Sequence, residues 1–274
     1  MSRFCWLVVP LVLLAFATFT PAKRVAAPPN PVQRALQAEV VVAGKVTSIE
    51  KEPIEVEEGG QKTPFKVGVI KVESALLGAA NTTHIKVGLP IPVIGRGRGP
   101  IINLEENQEG LFFLTKHPSG QFHTFNWMSG PVSATDENYK AATANVKKAL
   151  AAVADPAKAL KAEKAEDRAF AAVAIITKAR SQRGDGEVKS EKMPADESMQ
   201  ILKALAEANW AKPDPTVFPP IQAMYLLALT PEDGWVQPKA EPGKDFSEVL
   251  HTAFTKWLEG PGKQYRINKL VPKK

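Results

Sequence analysis

Cysteine, histidine and aromatic residues are all scarce in this 274-residue chain: one Cys, four His and 7% Phe, Trp and Tyr together. A single cysteine cannot close an internal disulfide, which excludes a disulfide-stapled scaffold. That residue, Cys5, lies within an apolar run near the start, not behind small residues at its end where a lipid-anchored cysteine stands. Beyond it the chain has no thiol nucleophile and no cysteine metal ligand. Acidic residues are missing before Glu39. Also absent are GxSxG, SxxK, HExxH, paired CxxC, Walker and Rossmann glycine patterns, so the common hydrolase, nucleotide-binding and zinc-protease classes have no sequence basis. At 44% hydrophobic and 23% charged, the chain is neither collagen-like, coiled-coil, multi-span nor wholly disordered, and it has room for one large or two small domains.

Arg3 followed by the almost wholly apolar stretch Phe4 to Phe19 reads as a secretory signal peptide over 1–27, with small-residue cleavage sites after Ala22 or Ala27. The run falls short of the ~20 residues a bilayer span needs and contains Pro10. The expected location is therefore secreted or periplasmic, with no retained span. Losing Arg3, Lys23 and Arg24 and no acid takes 35 basic against 29 acidic groups to 32 against 29, a net charge of +3 in place of +6. Charge alone then gives little support for a nucleic-acid partner.

Residues 28–37 read as a connector that begins Pro-rich. Five strands are expected over 38–131: Ala38 to Lys51, Phe65 to Val72, Thr83 to Leu89, Gly110 to Thr115 and Gln121 to Trp127. Between the first two, Glu55 to Thr63 reads as a polar loop. Val40, Val42 and Val46 share one parity while Ile49 has the other, and Phe65, Val67 and Val69 switch parity at Ile70 and Val72. Such switches mark bulges that curve a sheet, and two in succession suit a small closed barrel. The continuous apolar run GLFFLT suits a strand buried on both faces, and Pro118-Ser119-Gly120 marks a hairpin turn. Past Pro131 the composition changes to Ala, Lys, Glu and Leu at helical spacing. Helices are expected around Tyr139–Val153, from Asp155-Pro156 through Ile176, over Ala195–Trp210 and Pro220–Leu229, and over Asp245–Leu258 with an Asp245/Glu248 capping box. Ser181 to Met193 reads as a polar loop, and 263–274 as a basic tail behind a helical domain over 132–262. The fold class is α+β: an N-terminal five-stranded OB-like β-barrel followed by an irregular α-helical domain.

The segments AEVVVAGKVTSIEK, VGVIKVESALLGAANTTHIKVG and EGLFFLTKHPSGQFH follow the strand-and-glycine order of the netrin/TIMP-like module, and the stretch Ala38 to Trp127 resembles it. The resemblance implies an OB-fold barrel that binds proteins or glycans rather than doing chemistry. It implies no zinc-chelating protease inhibition, which in animal members uses an N-terminal cysteine that this chain lacks once the leader is removed.

The candidate sites are few. Arg96 and Arg98, in GRGRG, are the provisional contacts for an anionic glycan or acidic protein, weighed against a solvated loop. His117 and His123 flank the hairpin turn and are weak metal candidates if they face each other across it with a carboxylate. The simpler reading is a pair of edge histidines, and no metal or other cofactor is expected. Glu105, Glu106 and Glu109 cluster before the fourth strand. Arg183-Gly184-Asp185 is a short tripeptide given almost no weight, and Asn81-Thr82-Thr83 is a glycosylation sequon only in a eukaryotic pathway. Trp210 and Trp257 are expected in packed positions and Trp235 exposed. The expected function is a secreted, non-enzymatic binding protein whose barrel loops engage an unknown protein or envelope glycan and no nucleic acid. The alternatives are a metal-assisted hydrolase using His117 or His123 with those glutamates, or a helical docking or oligomerisation protein.

Overall fold

A computed structural model describes residues 29–58, 60–91, 102–125, 129–181, 186–212 and 218–273. Behind a short N-terminal helix run seven strands: β1 (Val40–Ile49), β2 (Ile54–Glu58), β3 (Gln61–Leu77), β4 (His84–Pro90), β5 (Glu109–Lys116), β6 (His123–Phe125) and β7 (Val132–Ser133). Five of them close a ring in the order β1-β3-β4-β6-β5 and back to β1, antiparallel except for β4 with β6. This is the five-stranded OB-like barrel expected from the sequence. The β1–β3 register slips in three places: between Val46 and Ser48, opposite Ile70 and Val69, where the parity switch called for curvature, and also between Val41 and Val42 and between Ala43 and Gly44, where the sequence showed no switch.

The GLFFLT strand is buried on both sides, as its composition requires. Phe112 and Leu114 face inward with Val40, Val42, Val46, Ile70 and Val87. Leu111 and Phe113 face outward into a second core. That second core is roofed by a helix inside the segment read as a connector, α1 (Pro31–Gln37). Asn30 caps α1 by accepting from the Gln33 N–H at 2.8 Å, and Pro31 occupies the first turn, where a missing N–H costs nothing. Val32, Ala35 and Leu36 wedge between Leu111 and Phe113 on the barrel and Val146, Ala149, Phe170 and Ala174 on the helices.

Helices α2 (Tyr139–Ala154), α3 (Pro156–Ala159), α4 (Ala165–Arg180), α5 (Ala195–Ala206), α6 (Pro220–Leu226) and α7 (Phe246–Glu259) follow. None of the described helices is long and apolar enough to cross a membrane. The helix expected from Asp155 is broken: Asp155 caps the single turn of α3, and the chain restarts at Ala165. The Arg168 guanidinium bridges this break, donating to the Ala162 and Glu163 carbonyls at 2.9 and 2.8 Å and pairing with Glu207, the C-cap of α5, at 2.7 Å. Arg168→Ala should lower stability by about 1–2 kcal/mol in urea titrations, since charged hydrogen bonds to backbone carbonyls outlast ordinary surface ion pairs. Alanines let α4 pack closely on several sides. Its Phe170 and Ala174 serve the barrel-side core, and its Val173, Ile175 and Ile176 the helical core.

Three further expectations are corrected. The loop Ser181 to Met193 contains a strand, β8 (Val188–Lys192), and the basic tail contains its partner, β9 (Asn268–Pro272). Backbone pairing and the buried Tyr265 and Ile267 tie the tail down. Trp235 is buried, not exposed: it meets Trp257 edge-on at 6.1 Å, and its Nε1 donates to Gln237 at 3.3 Å. Asp245 does cap α7, accepting from Ser247 N–H, but the reciprocal capping box sits at Thr230 and Asp233 instead.

Candidate binding surface

Helices cover the β1–β5 side of the barrel, whereas the outer face of β3 and β4 packs against Phe122 and the β2 arm. On the outer face of β3 and β4, cross-strand pairs bring together Phe65 with Pro90, Val67 with Gly88, and Lys71 with His84. Phe122, from the β5–β6 hairpin, packs against Gly88: a Cβ there would stand 2.4 Å from the ring. Phe65 packs on Phe122 at 4.9 Å between ring centres, and Val56 and Val67 complete a small apolar cluster.

The hairpin explains the two candidate histidines. Lys116 pairs with His123, and the His117 N–H donates to the Phe122 carbonyl. Successive residues of a strand alternate faces, so His117 and His123 point to opposite sides and do not face each other. His117 is 6% exposed, sits 5.2 Å from Phe65 and 4.7 Å from Phe122 between ring centres, and its Nδ1 contacts Ser119 Oγ at 2.9 Å. Here imidazole serves as a hairpin pin. His123 is half-buried at the barrel mouth near Lys116, Glu39 and the Lys86 backbone. Burial pushes its pKa below the ordinary 6.5, outweighing the opposing pull of the Lys86 backbone and Glu39. The unfolded chain therefore takes up this proton first as pH drops. Stability should be full above about pH 6.5 and decline below it, with a smaller decline in His123→Gln; a flat urea midpoint from pH 7.5 to 5 would refute the assignment.

No model of a known protein family and no curated protein matches this sequence.

The remaining candidates divide. Arg96, Arg98 and the Arg183-Gly184-Asp185 tripeptide lie outside the described residues. Glu105, Glu106 and Glu109 do come together, around an open cleft of about 570 Å³ shared with Asn103, Ser133 and Thr135. Neither His117 nor His123 lines it. Glu109 pairs with Lys45 at 3.2 Å, and Glu106 accepts from the Ile49 N–H at 3.4 Å, so two of the three carboxylates brace β1. Among the described residues, no group of three or more His, Cys, Asp or Glu is placed to hold a metal ion. His84 contacts Thr83, and His251 stacks on Trp210 with Nε2 at 2.7 Å from the Ala206 carbonyl.

Sequence reading missed an arm. The polar loop Glu55 to Thr63 is largely a hairpin of β2 and the start of β3, projecting past the point where β4 stops pairing at Phe65. Gly60 at its tip has φ +77°, a conformation open to glycine at no steric cost. The signal was present as Ile54 and Val56 alternating with Glu55 and Glu57 ahead of Gly59-Gly60, a two-residue hairpin turn.

Proposed function

We propose that this chain is a secreted, non-enzymatic binding protein that engages an extracellular protein or anionic glycan through the loops and open face of its barrel. The observation that carries the reading is the one-sided covering of the barrel: among the described residues, the core that α1, α2 and α4 share with the barrel takes in β1, β5 and the end of β3 at Leu76 and Leu77, but no residue of β4 or of the β2–β3 arm. OB barrels present ligands to the equivalent second and third ring strands and the flanking loops. The apolar leader supports export, and the resemblance of 38–127 to the netrin/TIMP-like module supports a binding role over a catalytic one. Fold likeness by itself establishes no activity, so the test must be direct.

Immobilised protein beginning at Pro28 should capture a partner from the native extracellular fraction, and Arg96→Ala/Arg98→Ala should weaken that capture in a salt-sensitive way. Capture of nothing above a blank resin overturns the reading. Capture unchanged by the double substitution removes the two arginines from it.

A further inference from the structure

We propose that the outer edge of β2 accepts an added β-strand from a partner segment in which Lys or Arg alternates with apolar residues. The inference deepens the binding reading above and rests on it.

The register of the arm determines which backbone groups are available. Ile54 pairs with Phe65, Glu55 with Pro64, Val56 with Thr63, Glu57 with Lys62, and Glu58 with Gln61. Pro64 has no N–H to exchange, so Glu55–Pro64 is the non-hydrogen-bonded kind of pair. By alternation Glu57–Lys62 is the same kind, and Ile54, Val56 and Glu58 make the ladder bonds to β3. The N–H and C=O groups of Glu55 and Glu57 therefore point away from β3, toward an edge on which β2 has no strand partner among the described residues. The opposite edge of the arm is closed off at its base, where Pro64 accepts from the Ile91 N–H at 2.9 Å.

Two observations make the β2 edge more than an unfinished sheet. It is held in place before any partner arrives: Val56 is 7% exposed and packs with Phe65, Val67 and Phe122, and Ile54 packs beside them. A pre-ordered edge loses little conformational freedom on pairing. Its charge also selects the partner. The exposed side chains on the solvent side are Glu55 and Glu57, with Lys62 across from them and 3.4 Å from Glu55. Lys66, exposed on the same face, lies beyond Pro64; both lysines stand on β3, so the two carboxylates of β2 are what an added strand meets first. A second copy of this chain would set glutamates against glutamates, whereas a basic strand places opposite charges in register. Main-chain bonds would supply affinity and the alternating side chains specificity, as in other strand-addition complexes.

The probe is a fluorescent nine-residue peptide alternating lysine and valine, titrated against the chain from Pro28 onward. It should bind saturably, and an analogue methylated on its backbone nitrogens should bind at least tenfold more weakly. Glu57→Pro removes one outward N–H at an edge position where proline is tolerated, and should also cost at least tenfold with helical circular dichroism and melting temperature retained. Glu55→Gln/Glu57→Gln, which keeps the backbone, should cost a few-fold and flatten the salt dependence.

Equal binding of the methylated peptide, equal binding by Glu57→Pro, or equal binding of a glutamate–valine peptide overturns the edge. So does concentration-dependent dimerisation that Glu57→Pro abolishes, since the occupant is then a second copy. Glu57→Pro that still captures the extracellular partner overturns the edge while leaving the binding reading intact, and wild-type protein that captures nothing overturns both.

Discussion

Replacing Phe122 with Ala is expected to lower stability by about 3–4 kcal/mol, the range for deleting a buried phenyl ring without collapse of the space it leaves. The ring is 2% exposed and lies over Gly88 between Phe65 and His117. Its loss unpins the β5–β6 hairpin and removes the floor on which Val56 holds β2. Hydrogen exchange should therefore accelerate at 54–58 and 117–122 ahead of the helices. The same geometry predicts a coupling. Gly88→Ala alone is destabilising because its new methyl enters the ring, but in the Phe122→Ala background the methyl fills vacated space. The double variant should be more stable than the sum of the single effects by more than about 1 kcal/mol, as expected for residues in contact. Additive effects in urea titrations would mean that the ring is not where the structure puts it.

The second large effect is at the wedge. Arg34 is 5% exposed, and its guanidinium donates to the Ser129 and Gly130 carbonyls at 2.9 and 2.5 Å and lies 4.3 Å from the centre of the Phe113 ring. Burial pulls its pKa down to about 10, yet it remains charged at neutral pH. Arg34→Ala removes the cation from the ring and leaves two carbonyls without their donor, each charged hydrogen bond being worth about 1.5–3 kcal/mol. A loss of roughly 3–5 kcal/mol follows, enough to leave many single domains marginal. Arg34→Lys should restore less than half of it, because one ammonium cannot span two carbonyls and a ring as the planar guanidinium does. Full rescue by Lys in thermal melts would show that charge alone, not the planar fork, holds α1 between barrel and helices.

Much of this architecture is legible in local pattern, and the arm shows why some of it is not. Alternation and parity switches identify the first three ring strands, because a half-buried strand shows its inward face every second residue; the continuous run GLFFLT and the Pro118-Ser119-Gly120 turn identify the other two. Ile54 and Val56 carry the same alternation, but only two apolar positions lie among glutamates, and polar composition outweighs so short a period. The connector hid α1 for a related reason: seven residues are too few for a helical period, and only burial on two sides stabilises a helix that short. The two histidines were near one another in sequence, and their parity across the turn was readable. What His117 does depends on Phe65, more than fifty residues upstream, and the surroundings of His123 depend on Glu39 and Lys86.

By itself the sequence determined the order of strands then helices, the curvature of β1, the double-sided burial of GLFFLT, the cap at Asp245 and the absence of cysteine chemistry past Cys5. These are properties of nearest neighbours and short periods. Tertiary structure alone decided that the helices cover β1, β5 and the end of β3, that Trp235 lies inside, that the tail pairs with β8, and that among the described residues β2 pairs on one edge only. Each of those depends on which distant surfaces exclude water from one another, and no local period encodes that choice.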